Sequence, residues 1–256
     1  FVKGFNREPC PPAIITTGTN QAEGRNAVLE AIRSGRAQEV YLSYSARGKT
    51  INEIEFLCKD MQIKLNRVQN DEIIKMAVTQ NHQGVIAKTK KLPQISLDEI
   101  MALKEPFVVI LDHIQDPHNL GAILRTAEAT GVDAVIIPDK RAATLSPGAI
   151  KAAAGAVEYV PVVTVTNIAQ TIDLLKKGNV WVVGTADAGN QLYTECDLRG
   201  RLAIVIGSEG EGLSRLVKEK CDFLVRIPMK GKISSLNASV ATGVMLYEAL
   251  RQRDNI

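Results

Sequence analysis

A cluster of hydroxyl and amide side chains lies where the last helix of the chain is expected to begin. Ser234, Ser235, Asn237 and Ser239 follow the apolar run at residues 227–229. Short oxygen-bearing side chains at a helix start accept hydrogen bonds from backbone N–H groups that have no partner within the helix. One cap needs one such residue, so the surplus predicts a binding or reaction site in addition to a cap.

Two further loops combine polar side chains with glycine or arginine. The stretch "DHIQDPHNLGAILRTAEATG" contains Asn119, which can cap the following helix, and Arg125, which alone is typical of a surface residue with a buried stem. The stretch "VIGSEGEGLS" sets Glu209 among three glycines, where it can offset a helix dipole or contact a cation or hydroxyl. No Lys-Ser/Thr pair follows, which excludes a phosphate-binding P-loop. The G-x-G-x-x-G fingerprint is missing as well, which argues against a dinucleotide-dependent dehydrogenase.

Elements that would position these loops alternate strictly between strand and helix from residue 106 onward. "FVVILDHI", "AVIIPD", "VPVVTV", "VWVVGTA", "LAIVIGSE" and "FLVRIPM" are strands that are apolar throughout. Such strands predict an α/β fold with a parallel sheet covered on both faces. Ligands of these sheets bind beyond the carboxyl ends of the strands, where all three polar loops fall, so we expect the loops to meet.

The order of composition along the chain predicts four parts. Residues 1–20 read as a loose arm, 21–90 as a small α/β domain, 91–105 as a linker with a short helix, and 106–256 as the main domain. The chain has 256 residues, of which 45% are hydrophobic, which is enough for two ordinary domains. No apolar run reaches the roughly 18 residues of a membrane span.

Cysteine usage and charge limit the remaining possibilities. Four cysteines lie far apart without a C-x-x-C pair, which predicts buried free thiols in a reducing compartment and no metal site. We therefore expect a cytoplasmic protein, although the chain begins with Phe1 and a removed organelle address stays open. The net charge is +3, and the whole basic excess lies in the first 105 residues, as in a polyanion-facing module or an ordinary solvated surface. Candidates for contacts with the backbone of a polyanion are Arg25, Arg47, Lys49, Lys88, Lys90 and Lys91.

The three loops carry motifs in a specific order. They are N-x-G-x-x-x-R-T-A at 119–127, G-x-E-x-x-G-[LM]-S at 207–214, and I-P-M followed by S-L-N-x-S at 227–239. In these motifs the chain resembles the SpoU (TrmH-type) branch of the SPOUT RNA methyltransferases, over about residues 106–256. The front part, with "HQGVIA" at 82–87, is similar to the small RNA-binding domain of rRNA-modifying members, which resembles ribosomal-protein folds.

The resemblance implies a fold, a cofactor and an assembly. The main domain would end in a deep trefoil knot that holds S-adenosylmethionine, and two copies would form a homodimer with the active site at their interface. The cofactor contacts implied are Gly207, Ile227, Met229, Leu236, Gly184 and Thr185.

The implied reaction moves a methyl group from a sulfonium to a ribose 2′-hydroxyl. The family assigns Arg125 as the catalytic residue, often as the base, but a guanidinium stabilises an oxyanion more readily than it accepts a proton. Asn119, Ser235 and Asn237 would orient the ribose, together with Glu209, which is also a possible base. The expected substrate is a guanosine of large-subunit ribosomal RNA. The alternatives are a transfer RNA, whose enzymes typically lack this front domain, and an RNA-binding factor without catalysis.

Overall fold

Two β-sheets with their own helices make up the protein. The computed structural model describes residues 20–80, 82–232 and 235–254. A four-stranded mixed sheet lies in the front part, and a seven-stranded sheet lies in the rest. The front-part strands are β1 Gln21–Glu23, β2 Ala37–Ser43, β3 Lys64–Val68 and β4 Val85–Thr89. Its helices are α1 Arg25–Arg33, α2 Lys49–Asp60 and α3 Asn70–Met76.

The seven-stranded sheet follows a short helix, α4 Leu97–Ala102. Its strands are β5 Phe107–Asp112, β6 Ala134–Pro138, β7 Val162–Val165, β8 Trp181–Thr185, β9 Gln191–Leu192, β10 Leu202–Gly207 and β11 Phe223–Arg226. The helices are α5 Pro117–Ala129, α6 Pro147–Ala152, α7 Ile168–Lys177, α8 Arg215–Lys220 and α9 Ala238–Asp254.

Every pairing in the large sheet is parallel, which confirms the predicted α/β architecture. The strand order is β7-β6-β5-β10-β8-β11-β9. The chain therefore inserts β10 between β5 and β8, and then β11 between β8 and β9. This order makes β5, β10, β8 and β11 neighbours, so the loops that leave their carboxyl ends meet at one place. The passage of the last segment through a knot stays a prediction.

A hydrophobic layer covers each face of the large sheet. On one face, side chains from β5 and β10 pack with α5, α6 and α9 through Leu120, Ala149 and Met245. On the other face, α4, α7 and α8 pack through Ile100, Ile172 and Val217. Strand residues alternate between these two layers, which explains why the strands are apolar at every position.

The start of α5 differs from the sequence expectation. Asn119 was expected to cap α5, but the cap is Asp116, whose carboxylate accepts a hydrogen bond from the His118 N–H at 2.8 Å. Pro117 occupies the first helical position, where a missing N–H costs nothing. At the start of α6, Ser146 accepts from the Ala149 N–H, and Pro147 is again the first helical residue.

A buried ion pair joins the two parts of the protein. Arg36 Nη2 lies 2.7 Å from Glu158 Oε1, and Arg36 Nε lies 2.5 Å from Glu158 Oε2. Both side chains are more than nine-tenths buried. Beside them, Tyr159 donates its hydroxyl to Glu30 at 2.8 Å, and burial raises the pKa of Tyr159 to about 12. These contacts join α1 and Arg36, which follows it, to the segment at residues 156–159 between α6 and β7.

Other sequence expectations concern thiols, metals and membranes. Cys58 and Cys196 are buried free thiols and Cys221 is partly buried, whereas Cys10 lies outside the described residues. Burial raises the pKa of the Cys221 thiol to about 12. Within the described ranges there is no cluster of three or more potential metal ligands. No helix found there has the length and apolar character that crossing a membrane requires.

Candidate active site

Three of the predicted site residues form one hydrogen-bonded group. Asn119 at the start of α5 donates its amide to Glu209 Oε1 at 3.0 Å. Asn237 donates to Asn119 Oδ1 at 3.0 Å and to the same Glu209 oxygen. The three residues come from the three separate loops, which confirms that the loops meet. We call Asn119, Glu209 and Asn237 the polar triad.

The triad also starts the last helix. Asn237 Oδ1 accepts from the Ser239 hydroxyl at 2.6 Å and from the Ser239 N–H at 3.0 Å, and the Ala238 N–H donates to Glu209 Oε1 at 3.2 Å. Asn237 is thus the N-cap of α9, three residues later than the sequence suggested. The same amide side chain therefore caps a helix and holds the site together. Ser234 lies outside the described residues.

A buried carboxylate that sequence reasoning missed ties the first loop to the second. Asp112 ends β5 without solvent exposure, and its Oδ2 accepts from the Ser214 N–H at 2.7 Å. Its Oδ1 lies 2.6 Å from His113 Nδ1, and His113 adopts a left-handed backbone with φ of 64°. An Asp at the end of an otherwise apolar strand was the signal that could have found it. Asp112 holds α8 and the glycine turn in register with β5.

The glycine turn packs on itself. A Cβ added to Gly207 would lie 2.2 Å from the carbonyl carbon of Gly212, so only glycine fits at this position. Ser208 and Gly212 exchange backbone hydrogen bonds at 2.9 and 3.2 Å, which closes the turn. The space left by the missing side chain of Gly207 is thus occupied by the chain's own backbone and not by a ligand. The turn presents Glu209 at its tip.

A cavity of about 290 Å³ opens beside the turn, beyond the carboxyl ends of β8, β10 and β11. Its walls include most of the predicted cofactor contacts, namely Thr185, Gly207, Ile227, Met229 and Leu236. Ser235 and Glu209, which were predicted for the reacting end, also line it. The cavity therefore gathers residues from the second and third motifs and from the loop after β8.

Gly184 does not line the cavity. It is buried within β8, and a Cβ there would lie 2.8 Å from both Cys221 Sγ and Leu213 Cδ1, and 2.9 Å from Leu224 Cδ2. Leu213 and Leu224 in turn belong to the cavity wall. The expected contact of Gly184 with a cofactor stays a prediction, and the neighbouring Thr185 is the residue of this pair that lines the cavity. The lack of a side chain at Gly184 lets the two leucines pack under the cavity.

Arg125 lies apart from both the triad and the cavity. It is exposed on α5, six residues beyond Asn119, and makes no hydrogen bond or ion pair with any described residue. Six residues of helix turn the side chain well away from the face of Asn119. Within one copy of the chain the predicted catalytic arginine thus points to solvent.

The residues around the cavity fit S-adenosylmethionine. Ile206, Leu213 and Ile227 give apolar walls of the kind that bury a nucleoside, and the volume lies near the lower end for small-ligand pockets. Asp187, Glu209 and Glu211 line the same space together with the cationic Lys218, so acidic residues outnumber basic ones in this wall and match a ligand with a positive charge. The cavity lies at the edge of a parallel sheet and has apolar walls and an acidic rim. These features are those of an α/β enzyme that binds a cationic nucleoside cofactor.

Comparison with known proteins gives the family. A sequence model described as the SpoU rRNA Methylase family matches residues 106–247, and one described as RNA 2′-O ribose methyltransferase substrate binding matches residues 21–95. YacO, a TrmH family protein of Bacillus subtilis, is 43% identical over 91% of this chain and 96% of its own length.

Two solved methyltransferase structures resemble this one over most of their length. The SpoU methyltransferase AviRb of Streptomyces viridochromogenes, solved with AdoMet, has a TM-score of 0.76 at 26% identity, covering 92% of this chain and 91% of that one. An AdoMet-bound rRNA methyltransferase of Sinorhizobium meliloti has a TM-score of 0.71 at 28% identity, covering 90% and 86%. The chain belongs to the SpoU family of RNA 2′-O-ribose methyltransferases, which use S-adenosylmethionine.

Proposed function

We propose that this enzyme methylates the ribose 2′-hydroxyl of a guanosine in large-subunit ribosomal RNA, in the cytoplasm and as a homodimer. The polar triad beside the cofactor cavity is the observation that carries the proposal. The choice of ribosomal RNA rests on the front part, which matches a substrate-binding model, and on the similarity of both parts together to an rRNA methyltransferase.

Each polar residue has a distinct role in this proposal. When bound, the cofactor supplies an electrophilic methyl group. Arg125 stabilises the oxygen as its negative charge develops, since a guanidinium donates several hydrogen bonds but rarely accepts a proton. Asn119 and Asn237 hold Glu209, whose Oε1 already accepts three hydrogen bonds. Glu209 therefore acts mainly as a positioning residue, and Ser235 lies in the wall where the ribose would enter.

Substitution of Glu209 separates positioning from proton transfer. Glutamine keeps an oxygen that accepts hydrogen bonds, so we expect Glu209→Gln to retain methyl transfer within about tenfold, whereas Glu209→Ala loses on the order of 100-fold. Initial rates at saturating cofactor measure both. Equal, near-complete loss in the two variants would make Glu209 the general base and remove that role from Arg125.

An exposed apolar face on α9 supports the proposed homodimer. Val240 and Tyr247 are 51% and 56% exposed, and Val244 lies between them on the same helix face. At the edge of this face, a Cβ built on Gly243 would lie 4.0 Å from Cγ2 of Thr126, the neighbour of Arg125. A second copy seated on the Val240–Tyr247 stripe would cover these apolar side chains close to Arg125. The solvent-facing position of Arg125 then becomes part of a site completed by two chains.

An acidic residue in this stripe should separate the copies. We expect Tyr247→Asp to shift the protein from dimer to monomer at micromolar concentration, because a carboxylate in an apolar interface lacks a partner. Leu216→Asp on α8, at a residue that is 53% exposed, is the matched control and should stay dimeric. Light scattering after size exclusion measures both masses. If the Tyr247→Asp protein stayed dimeric, the interface would have to lie on another surface of the chain.

The substrate class is tested with labelled S-adenosylmethionine. Unmodified large-subunit ribosomal RNA and unmodified transfer RNA are offered in parallel, and label is expected in the ribosomal RNA. Label in transfer RNA would overturn the substrate and keep the reaction. No label in either RNA, with RNA binding intact, would favour a binding factor without catalysis.

A further inference from the structure

A second cavity, of about 430 Å³, lies in the front part of the protein, outside the polar triad and the cofactor cavity. It is lined by Arg25, Ser45, Ala46, Asn70, Gln83 and Gly84. All described lining side chains are cationic, polar or small, and none is acidic. We call this the Arg25 pocket.

Arg25 is tied to the pocket through its backbone and leaves its guanidinium available. Its N–H donates to the Gln83 side chain at 3.0 Å. A Cβ built on Gly48 would lie 3.3 Å from Arg25 Nη1, so the guanidinium passes over the start of α2. Its Nε is buried and has no hydrogen-bond partner among the described residues. Its two Nη groups make no hydrogen bond with a described residue either, and unlike Nε they are not enclosed, so a phosphate in the pocket would accept from them.

Two neighbouring helix starts carry cations and no acidic residue. Arg25 is the first residue of α1, and Lys49, which does not line the pocket, is the first residue of α2. The N-cap glycines of both helices offer no side-chain cap, although the Gln83 side chain accepts from the Arg25 N–H. Cations at the positive end of a helix dipole are repelled by it, and a bound phosphate offsets this repulsion.

The turn that closes the pocket is strained. Gln83 has a left-handed backbone with φ of 52°, although it is not a glycine. The following Gly84, with φ of 77°, packs so that an added Cβ would lie 3.2 Å from Ala46 Cβ. Strained backbone persists where the surroundings require it, often at ligand sites. Here it sets the Gln83 side chain on the start of α1.

We propose that the Arg25 pocket binds a backbone phosphate of the RNA substrate, with Arg25 as its main ligand. The inference rests on the proposed function, which makes the front part the RNA-holding unit. An RNA is favoured over a free phosphate ion because Tyr44, next to Ser45, is 53% exposed and offers a ring on which a base can stack. Asn70 and Gln83 amides lie on the pocket wall as further donors to the phosphate oxygens.

The test measures RNA binding as a function of salt. Full-length protein is titrated with labelled, unmodified 23S ribosomal RNA transcript and with unmodified transfer RNA transcript between roughly 50 and 300 mM KCl. Arg25→Ala is compared with Lys59→Ala, an exposed cation on the distal part of α2. We expect Arg25→Ala to weaken binding about tenfold and to reduce the salt slope by about one, as for one lost phosphate contact. Lys59→Ala should change affinity less than about twofold, and Arg25→Lys should keep the slope.

Thermal unfolding of all variants serves as the folding control, because cofactor affinity reports only on the other part of the protein. Wild type and Arg25→Ala binding RNA with equal affinity and slope would overturn the pocket assignment alone. Wild type that binds neither RNA would instead overturn the proposed function. A thermal shift by inorganic phosphate that is lost in Arg25→Ala, with unchanged RNA binding, would identify free phosphate as the ligand and contradict the proposal.

Discussion

Replacing Arg125 by alanine should lower the rate of methyl transfer by on the order of 1000-fold and leave cofactor affinity within about twofold. The reason lies in the position of the side chain. Arg125 does not line the cofactor cavity and makes no contact with the polar triad in one chain. Its guanidinium can therefore act on the ribose oxygen without holding the cofactor. A loss confined to kcat indicates an interaction made in the transition state.

Two measurements on the same protein check this expectation. Single-turnover methyl transfer gives the rate, and calorimetric titration with S-adenosylmethionine gives the affinity. Arg215→Ala on α8, where the side chain is 91% exposed, is the matched arginine control and should keep both values. A large loss of cofactor affinity in Arg125→Ala, or wild-type turnover, would sink the assignment of Arg125 to the reacting end.

Gly207→Ala should damage the cofactor cavity and the turn beside it. The new Cβ would stand 2.2 Å from the Gly212 carbonyl carbon, so the turn that carries Glu209 must move. Overpacking of this kind typically costs about 1–3 kcal/mol, and displacement of the cavity wall should weaken cofactor binding by roughly tenfold or more. Both effects come from backbone atoms, which cannot rotate away as a flexible side chain would.

Thermal unfolding and cofactor titration measure the two effects. We expect Tm to fall by about 2–6 °C for a chain of this size. Gly148→Ala is the control, since a Cβ there meets only Ser146 Oγ at 3.8 Å and Pro117 Cβ at 4.0 Å, ordinary contact distances. Unchanged Tm and affinity in Gly207→Ala would mean that the turn accommodates the methyl group and that its closed shape is not required.

The parallel sheet and the meeting of the three loops were predictable from sequence. Strands without a polar position can only lie between two helical layers, and parallel strands send all their carboxyl ends to one edge. This reasoning predicts that the loops that carry Asn119, Glu209 and Asn237 meet at one edge of the sheet. The short strands β1 and β9 were missed, since two or three residues carry no readable period.

Side-chain contacts between residues far apart in the chain could not be predicted from the sequence. The Arg36–Glu158 ion pair joins residues far apart in the chain, and nothing local marks either one as buried. Asp112 looked like the start of a loop, although its carboxylate is enclosed. Contacts of Ser234 lie outside the described residues.

The central claim is transfer of a methyl group to a ribose 2′-hydroxyl at the site built around the polar triad. The most direct measurement is alkaline digestion of large-subunit ribosomal RNA after reaction with tritium-labelled S-adenosylmethionine, with wild type and Arg125→Ala side by side. A methylated 2′-oxygen blocks alkaline cleavage, so wild type should place the label in one alkali-resistant dinucleotide that begins with guanosine, and Arg125→Ala should place none. Label released in mononucleotides would mean that a base is methylated, which would contradict the account.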